Sequence, residues 1–147
     1  MTEQSGTDLR RADPPREGGT GLAKNKLGIA GIVFFVVAAA APLVGRHDFA
    51  AFAAAGSSAR STVRTVFSLR VEEGAEPVGG PGRLVHVWVE GDGFLYRMVR
   101  NVVGSLVEVG AGRRPPRWVQ QVLRGRRRER AAPTAPPEGL TLWLVRY

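Results

Sequence analysis

Eighteen consecutive residues without a charge, Leu27 to Val44 (LGIAGIVFFVVAAAAPLV), restrict the chain more than any other feature. A run of that length and polarity is at the lower limit for a membrane-spanning helix. Lys24 and Lys26 precede it and favour a cytoplasmic N-terminus for such a helix. A secretory signal peptide competes, because basic residues lead into an apolar stretch that ends in small residues. The lead-in is long, however, and carries Asp8, Asp13 and Glu17. A buried core helix is the third reading, disfavoured because the run shows no polar face. The expectation is an apolar helix over 27–44 with membrane contact through Leu27–Val44. Before it, residues 1–26 are polar, with Pro14-Pro15 and Gly18-Gly19, and read as a disordered tail.

Composition changes near residue 44. Residues 1–44 hold five Lys/Arg against four Asp/Glu, whereas residues 45–147 hold sixteen Arg, no Lys and nine acids. The whole chain has a net charge of +8. An excess of that size points to a polyanionic partner, nucleic acid or an anionic membrane. Cysteine is absent and only His47 and His86 represent histidine. Disulfides, thiolate catalysis and Cys-based zinc sites are therefore excluded, and no metal site is expected.

From Gly45 the pattern is that of one α+β domain. Phe49 to Ala55 suits one or two helical turns. Val63 to Val71 alternates, with Val63, Thr65, Phe67, Leu69 and Val71 on one face, as in a half-buried strand. Gly74 to Gly82 (GAEPVGGPG) is a loop, and Leu84 to Val89 is apolar enough for a central strand. Phe94 to Val109 predicts a helix with Leu95, Val99, Val102, Leu106 and Val109 in one stripe. Arg97, Asn101, Gly104, Ser105 and Glu108 fall on the opposite arc. Gly110 and Gly112 end it, and Pro115-Pro116 opens a shorter helix carrying Trp118, Val119, Val122 and Leu123. Leu140 to Tyr147 reads as a closing strand. The expected fold is an open, mainly antiparallel sheet with helices packed on one face, over residues 45–147.

The segment Phe94-Leu95-Tyr96-Arg97-Met98-Val99-Arg100-Asn101-Val102-Val103-Gly104-Ser105-Leu106 resembles a signature of the TruA family of tRNA pseudouridine synthases, F-L-x-x-M-V-R-N-I-V-G-x-L. Thr134-Ala135-Pro136 with Glu138-Gly139-Leu140 is similar to that family's T-A-P-x-x-G-L-x-L, and Val145-Arg146-Tyr147 to its closing V-x-Y. Upstream, His47-Asp48-Phe49 with Phe52 resembles its H-D-F…F stretch, and Thr62-Val63-Arg64 its T-x-R strand. The resemblance covers residues 45–147 in one register and implies the C-terminal half of such an enzyme. The family isomerises uridine through an aspartate nucleophile in a G-R-T-D-A-G-V-H-A motif. That motif does not occur in the chain, whose aspartates are Asp8, Asp13, Asp48 and Asp92. Gly45-Arg46-His47-Asp48 copies G-R-T-D superficially, but Phe49-Ala50-Ala51-Phe52 follows, and the H-D-F register explains it.

The resemblance implies that Arg100 pairs with the catalytic aspartate and holds it ionised, a role that suits a fixed guanidinium. Phe94, Tyr96 and Asn101 are expected at the substrate, the aromatic faces stacking on a displaced base. Arg113 to Arg130 contains eight arginines and one acid, Glu129. Arg113, Arg114, Arg117, Arg124, Arg126, Arg127 and Arg128 are expected to contact the tRNA backbone. The resemblance implies no cofactor, a homodimer, and a cytoplasmic enzyme acting on the tRNA anticodon stem-loop. Residues 20–44 resemble instead the first helix of permeases of the amino acid–polyamine–organocation type. The other readings are a noncatalytic RNA-binding module tethered to a membrane, and a transporter fragment, against which stands the lack of a second span.

Overall fold

The computed structural model describes residues 19–74 and 84–147. Most of the expected tail and residues 75–82 of the expected loop lie outside the described residues. In chain order come α1 (Gly19–Ala40), β1 (Gly45–Asp48), β2 (Val63–Glu73), β3 (Val85–Gly91), α2 (Met98–Gly110) and α3 (Arg117–Gly125). Short 3-10 turns occupy Ala41–Leu43, Ala50–Phe52, Arg128–Arg130 and Pro137–Gly139. The three strands form an antiparallel sheet in the order β1-β2-β3, so β2, not β3, is central among them.

The apolar run behaves as a core element over its second half. Val36, Ala39 and Ala40 of α1, with Leu43 just beyond, are buried in the same cluster as the sheet and the other helices. At Gly28, the second residue of the run, the backbone leaves helical geometry, with φ 56° and ψ −160°. No helix among the described residues is long and apolar enough to cross a membrane. Over residues 36–40 the helix buries one edge against the domain. Its approach to α2 is close, because a Cβ on Gly110 would lie 3.1 Å from Val36 Cγ2. The lack of a polar face misled because Phe34, Phe35 and Val37 stay exposed in this chain.

Alternation along β2 is interrupted. Val66 pairs with Gly91 and Ser68 with Glu90, leaving Phe67 as the extra residue of a β-bulge. The bulge turns Val66 inward, at 2% exposure, and Phe67 outward, at 57%. Beyond it, Leu69 faces Val89 and Val71 faces Val87 on the core side. Arg70 opposite Trp88 and Glu72 opposite His86 occupy the other face.

Helix α2 begins four residues later than its hydrophobic pattern. Phe94–Arg97 is a turn, and Arg97 caps α2 in the left-handed region at φ 57°. Its buried surface also exceeds one stripe: Asn101, Gly104 and Ser105, assigned by pattern to the solvent arc, are buried beside Met98, Val102, Leu106 and Val109. A second layer covers that arc. The closing segment, residues 140–147, forms no strand. It stays exposed, touching β3 through a Trp88–Trp143 edge contact at 5.5 Å and an Arg146–Glu90 pair at 3.7 Å. Its alternation is strand-like, but among the described residues it pairs with no strand, and the outer edge of β3 stays free.

Phe52 is fully buried at the meeting point of α2, α3 and the Ala50–Phe52 turn. Phe52→Ala is expected to lower stability by about 3–5 kcal/mol in urea unfolding, whereas Phe67→Ala on the bulge should change it by less than about 0.5 kcal/mol.

Candidate functional site

The strand–turn–helix passage from β3 into α2 sets the first half of the site. Asp92 Oδ1 accepts from the Thr65 amide at 2.9 Å, and the Asp92 amide donates to the Thr65 carbonyl at 3.0 Å. These bonds fix the chain where it leaves the bulged strand pair. The Ala54 amide then donates to the Tyr96 carbonyl at 3.0 Å. Phe94 and Tyr96 consequently project, 41% and 50% exposed. The Arg97 guanidinium lies over the Tyr96 ring, 5.0 Å from its centroid.

Arg100 sits in the first turn of α2 and is half-buried. Its Nε donates to the Ala135 carbonyl at 2.8 Å, and the Ala135 amide donates back to the Arg100 carbonyl at 3.1 Å. Its two terminal nitrogens make no hydrogen bond or ion pair among the described residues. One edge of the guanidinium is therefore fixed, while the fork that engages carboxylates two-pronged is open.

The segment 131–135 is the second layer on α2, a strap across the arc of Asn101, Gly104 and Ser105. Asn101 is 0% exposed. Its Nδ2 donates to the Phe52 carbonyl at 2.7 Å. Its Oδ1 accepts from Thr134 Oγ1 at 2.6 Å and from Arg128 Nη2 at 3.1 Å. Ser105 Oγ accepts from the Ala132 amide at 3.3 Å and donates to the Asn101 carbonyl at 3.1 Å. Gly104 permits the contact, since a Cβ there would collide with the Pro133 carbonyl oxygen.

Two expected site residues therefore take other places. Asn101 has no surface for a substrate, and both ends of its amide are satisfied by protein. Arg128 turns inward: besides Asn101 it donates to the Ala132 carbonyl at 2.9 Å and to Thr134 Oγ1 at 3.2 Å. Membership of a basic run did not reveal this, because direction depends on the Arg128–Arg130 turn. The tie between Arg100 and Ala135 was equally invisible, as it spans 35 positions.

The remaining arginines of the run face outward but are unequally free. Arg113 clasps Glu108 through Nε at 2.9 Å and Nη2 at 2.8 Å. These bonds hold the Glu108 carboxyl below its usual range and raise the Arg113 guanidinium, with desolvation opposing both. Arg127 pairs with Glu129 at 3.0 Å, and Arg126 lies 3.8 Å from Asp48. Arg114 lies over the Trp118 ring at 5.1 Å. Arg117 and Arg124, on α3, are exposed. An open depression of about 350 Å³ beside α3 is lined by Pro42, His47, Asp48, Gln120, Leu123, Arg124 and Arg126. Arg100 is not among its walls.

Both described aspartates have structural contacts. Asp48 Oδ1 accepts from Thr62 Oγ1 at 2.6 Å and from the Ala50 amide at 3.0 Å, capping the turn that buries Phe49 and Phe52. Asp92 pins the bulged strands. Among the described residues no three His, Asp or Glu side chains gather as a metal site.

A family model described as tRNA pseudouridine synthase matches residues 39–147, and the chain belongs to that family. The tRNA pseudouridine synthase A of Myxococcus xanthus is 54% identical over 109 residues, covering 74% of this chain and 39% of that protein. The proteins of the same name from Syntrophotalea carbinolica and Thiobacillus denitrificans are 51% and 48% identical over 109 residues. The chain spans about two fifths of the length of these relatives. The match opens at Ala39, so Ala39–Val44, set apart by composition, fall within the family unit together with buried Ala39, Ala40 and Leu43.

Substituting Gly104 with alanine should push the strap off α2. A loss of about 1–3 kcal/mol is expected in thermal unfolding, the range for an overpacked site. Gly125→Ala, where a Cβ meets nothing within 4 Å, is the control and should be near neutral.

Proposed function

We propose that this chain is the tRNA-contacting, arginine-bearing part of a uridine-to-pseudouridine isomerase, and that it does not isomerise uridine alone. The observation that carries the reading is Arg100, held along one edge by Ala135 with its terminal nitrogens unpaired among the described residues. Such a fork stabilises an ionised carboxylate placed against it and lowers that carboxylate's pKa. An aspartate nucleophile needs both effects, because only its ionised form attacks. Asp48 and Asp92 each have one carboxylate oxygen tied into a turn or strand junction, neither pairs with Arg100 among the described residues, and the remaining two aspartates, Asp8 and Asp13, lie in the polar N-terminal stretch.

Substrate recognition follows the same division. Phe94 and Tyr96, exposed in the turn that leads into α2, suit stacking on a base taken out of its stack. Among the arginines expected at the tRNA backbone, Arg114, Arg117 and Arg124 are exposed and have no acidic partner among the described residues, and they suit phosphate oxygens. The partner is tRNA at its anticodon stem-loop, the site of action is the cytoplasm, and the functional assembly is a homodimer. No organic cofactor or metal takes part in this reading. The names of the relatives support it, as each is a tRNA pseudouridine synthase A.

The test is tritium release from tRNA labelled at uridine C5, where isomerisation frees the label. Purified chain should release none under conditions in which the Myxococcus xanthus relative turns over. Release would overturn the missing-nucleophile argument, and loss of that release in Asp48→Ala would identify Asp48 as the nucleophile.

A further inference from the structure

Arg128 has a role that its place in a basic run conceals. Its two terminal nitrogens are spent inside the protein, on the Ala132 carbonyl, the Asn101 amide oxygen and the Thr134 hydroxyl. The Thr134 hydroxyl in turn donates to Asn101 Oδ1. Arg128, Thr134 and Asn101 therefore close a triangle in which every polar group has a partner. Asn101 is anchored to α2 by its position and to the Ala50–Phe52 turn by its amide nitrogen. The triangle fixes Thr134, and the next residue along is Ala135, whose carbonyl receives Arg100 Nε.

We propose that Arg128 is a positioning residue for Arg100. By locking Thr134 it sets the orientation of the Ala135 carbonyl, and that carbonyl sets the plane of the Arg100 guanidinium. This rests on the reading of Arg100 as partner of a carboxylate. A shorter or single-pronged cation does not reproduce the lock, because the contacts use two nitrogens of one planar group. Neutral Thr134 and Asn101 oxygens accept the Arg128 charge without quenching it. Among the described residues no carboxylate pairs with either Arg100 or Arg128, so the strap joins two uncompensated guanidiniums. Electrostatically that favours the ionised form of any carboxylate brought to the Arg100 fork.

Side-chain Nε–H exchange in the ¹⁵N-labelled full chain, without RNA, tests this. Arg100→Lys identifies the Arg100 resonance by its disappearance. In the wild type the Arg100 Nε–H should be protected by its bond to Ala135. In Arg128→Ala, and in Thr134→Val, which keeps the side-chain shape but removes the hydroxyl, exchange should accelerate by about tenfold or more. Val71→Ala, a core truncation on β2 away from the strap, is the control and should leave Arg100 exchange unchanged. Unchanged Arg100 protection in Thr134→Val and in a folded Arg128→Ala would overturn the proposal. Equal acceleration in Val71→Ala would also overturn it, because the effect would then be general destabilisation. If Arg128→Ala does not fold, Thr134→Val decides alone. The tRNA reading stands or falls separately, since no RNA enters the measurement.

Discussion

The buried amide of Asn101 is the interaction on which the rest of the domain depends. An uncharged polar group at full burial costs free energy unless each hydrogen-bonding end is met. Here the nitrogen end reaches the Phe52 carbonyl and the oxygen end receives Thr134 and Arg128. One side chain thereby joins three parts of the chain that are far apart in sequence: the turn after β1, the first turns of α2, and the strap after α3. Ser105 repeats the arrangement one turn along, between Ala132 and the Asn101 carbonyl. Loss of either end of Asn101 would leave buried partners unpaired, so the three parts are held together or released together.

That tie explains why a chain with one exposed helix face and an unpaired closing segment still has a defined interior. The apolar core, from Leu43 and Phe49 to Val66, Leu106 and Val119, supplies the non-directional part of the stability. The polar layer supplies direction. It determines that residues 131–135 lie along α2 rather than over the sheet, and so that Ala135 meets Arg100. The same geometry carries the proposed role of Arg100: its guanidinium is held at one edge by Ala135 and open at the other, as a carboxylate partner would need.

Much of this was legible in the residues. The 3.6-residue period of α2, the alternation of β2 beyond its bulge, where Leu69 and Val71 face the core, and the proline-led α3 each reflect a local rule, and each appears in the structure. The M-V-R-N and T-A-P motifs were legible as motifs, though not the bond between them. What escaped was set by non-local contacts. The bulge at Phe67 depends on how β3 pairs, and the burial of Asn101 and Ser105 on a strap about thirty residues away. Leu140–Tyr147 carries a strand pattern but meets β3 through side chains, Trp143 on Trp88 and Arg146 by Glu90, and not through a backbone ladder. In the run Leu27–Val44 the pattern did not show which apolar residues are buried: Val36, Ala39, Ala40 and Leu43 enter the core while Phe34, Phe35 and Val37 remain outside.

On the proposed reading, outward arginines of this domain bind tRNA while Arg100 and Arg128 serve the interior of the site. The most direct measurement is the salt dependence of its affinity for unmodified tRNA, compared between the wild type, Arg117→Gln/Arg124→Gln, and Arg113→Gln. The account predicts measurable binding whose slope against log salt falls by about one to two in the double variant. Arg113→Gln, whose arginine is already clasped to Glu108, should change it much less. Absence of binding at low salt, or a slope unaffected by removing Arg117 and Arg124, would contradict the account.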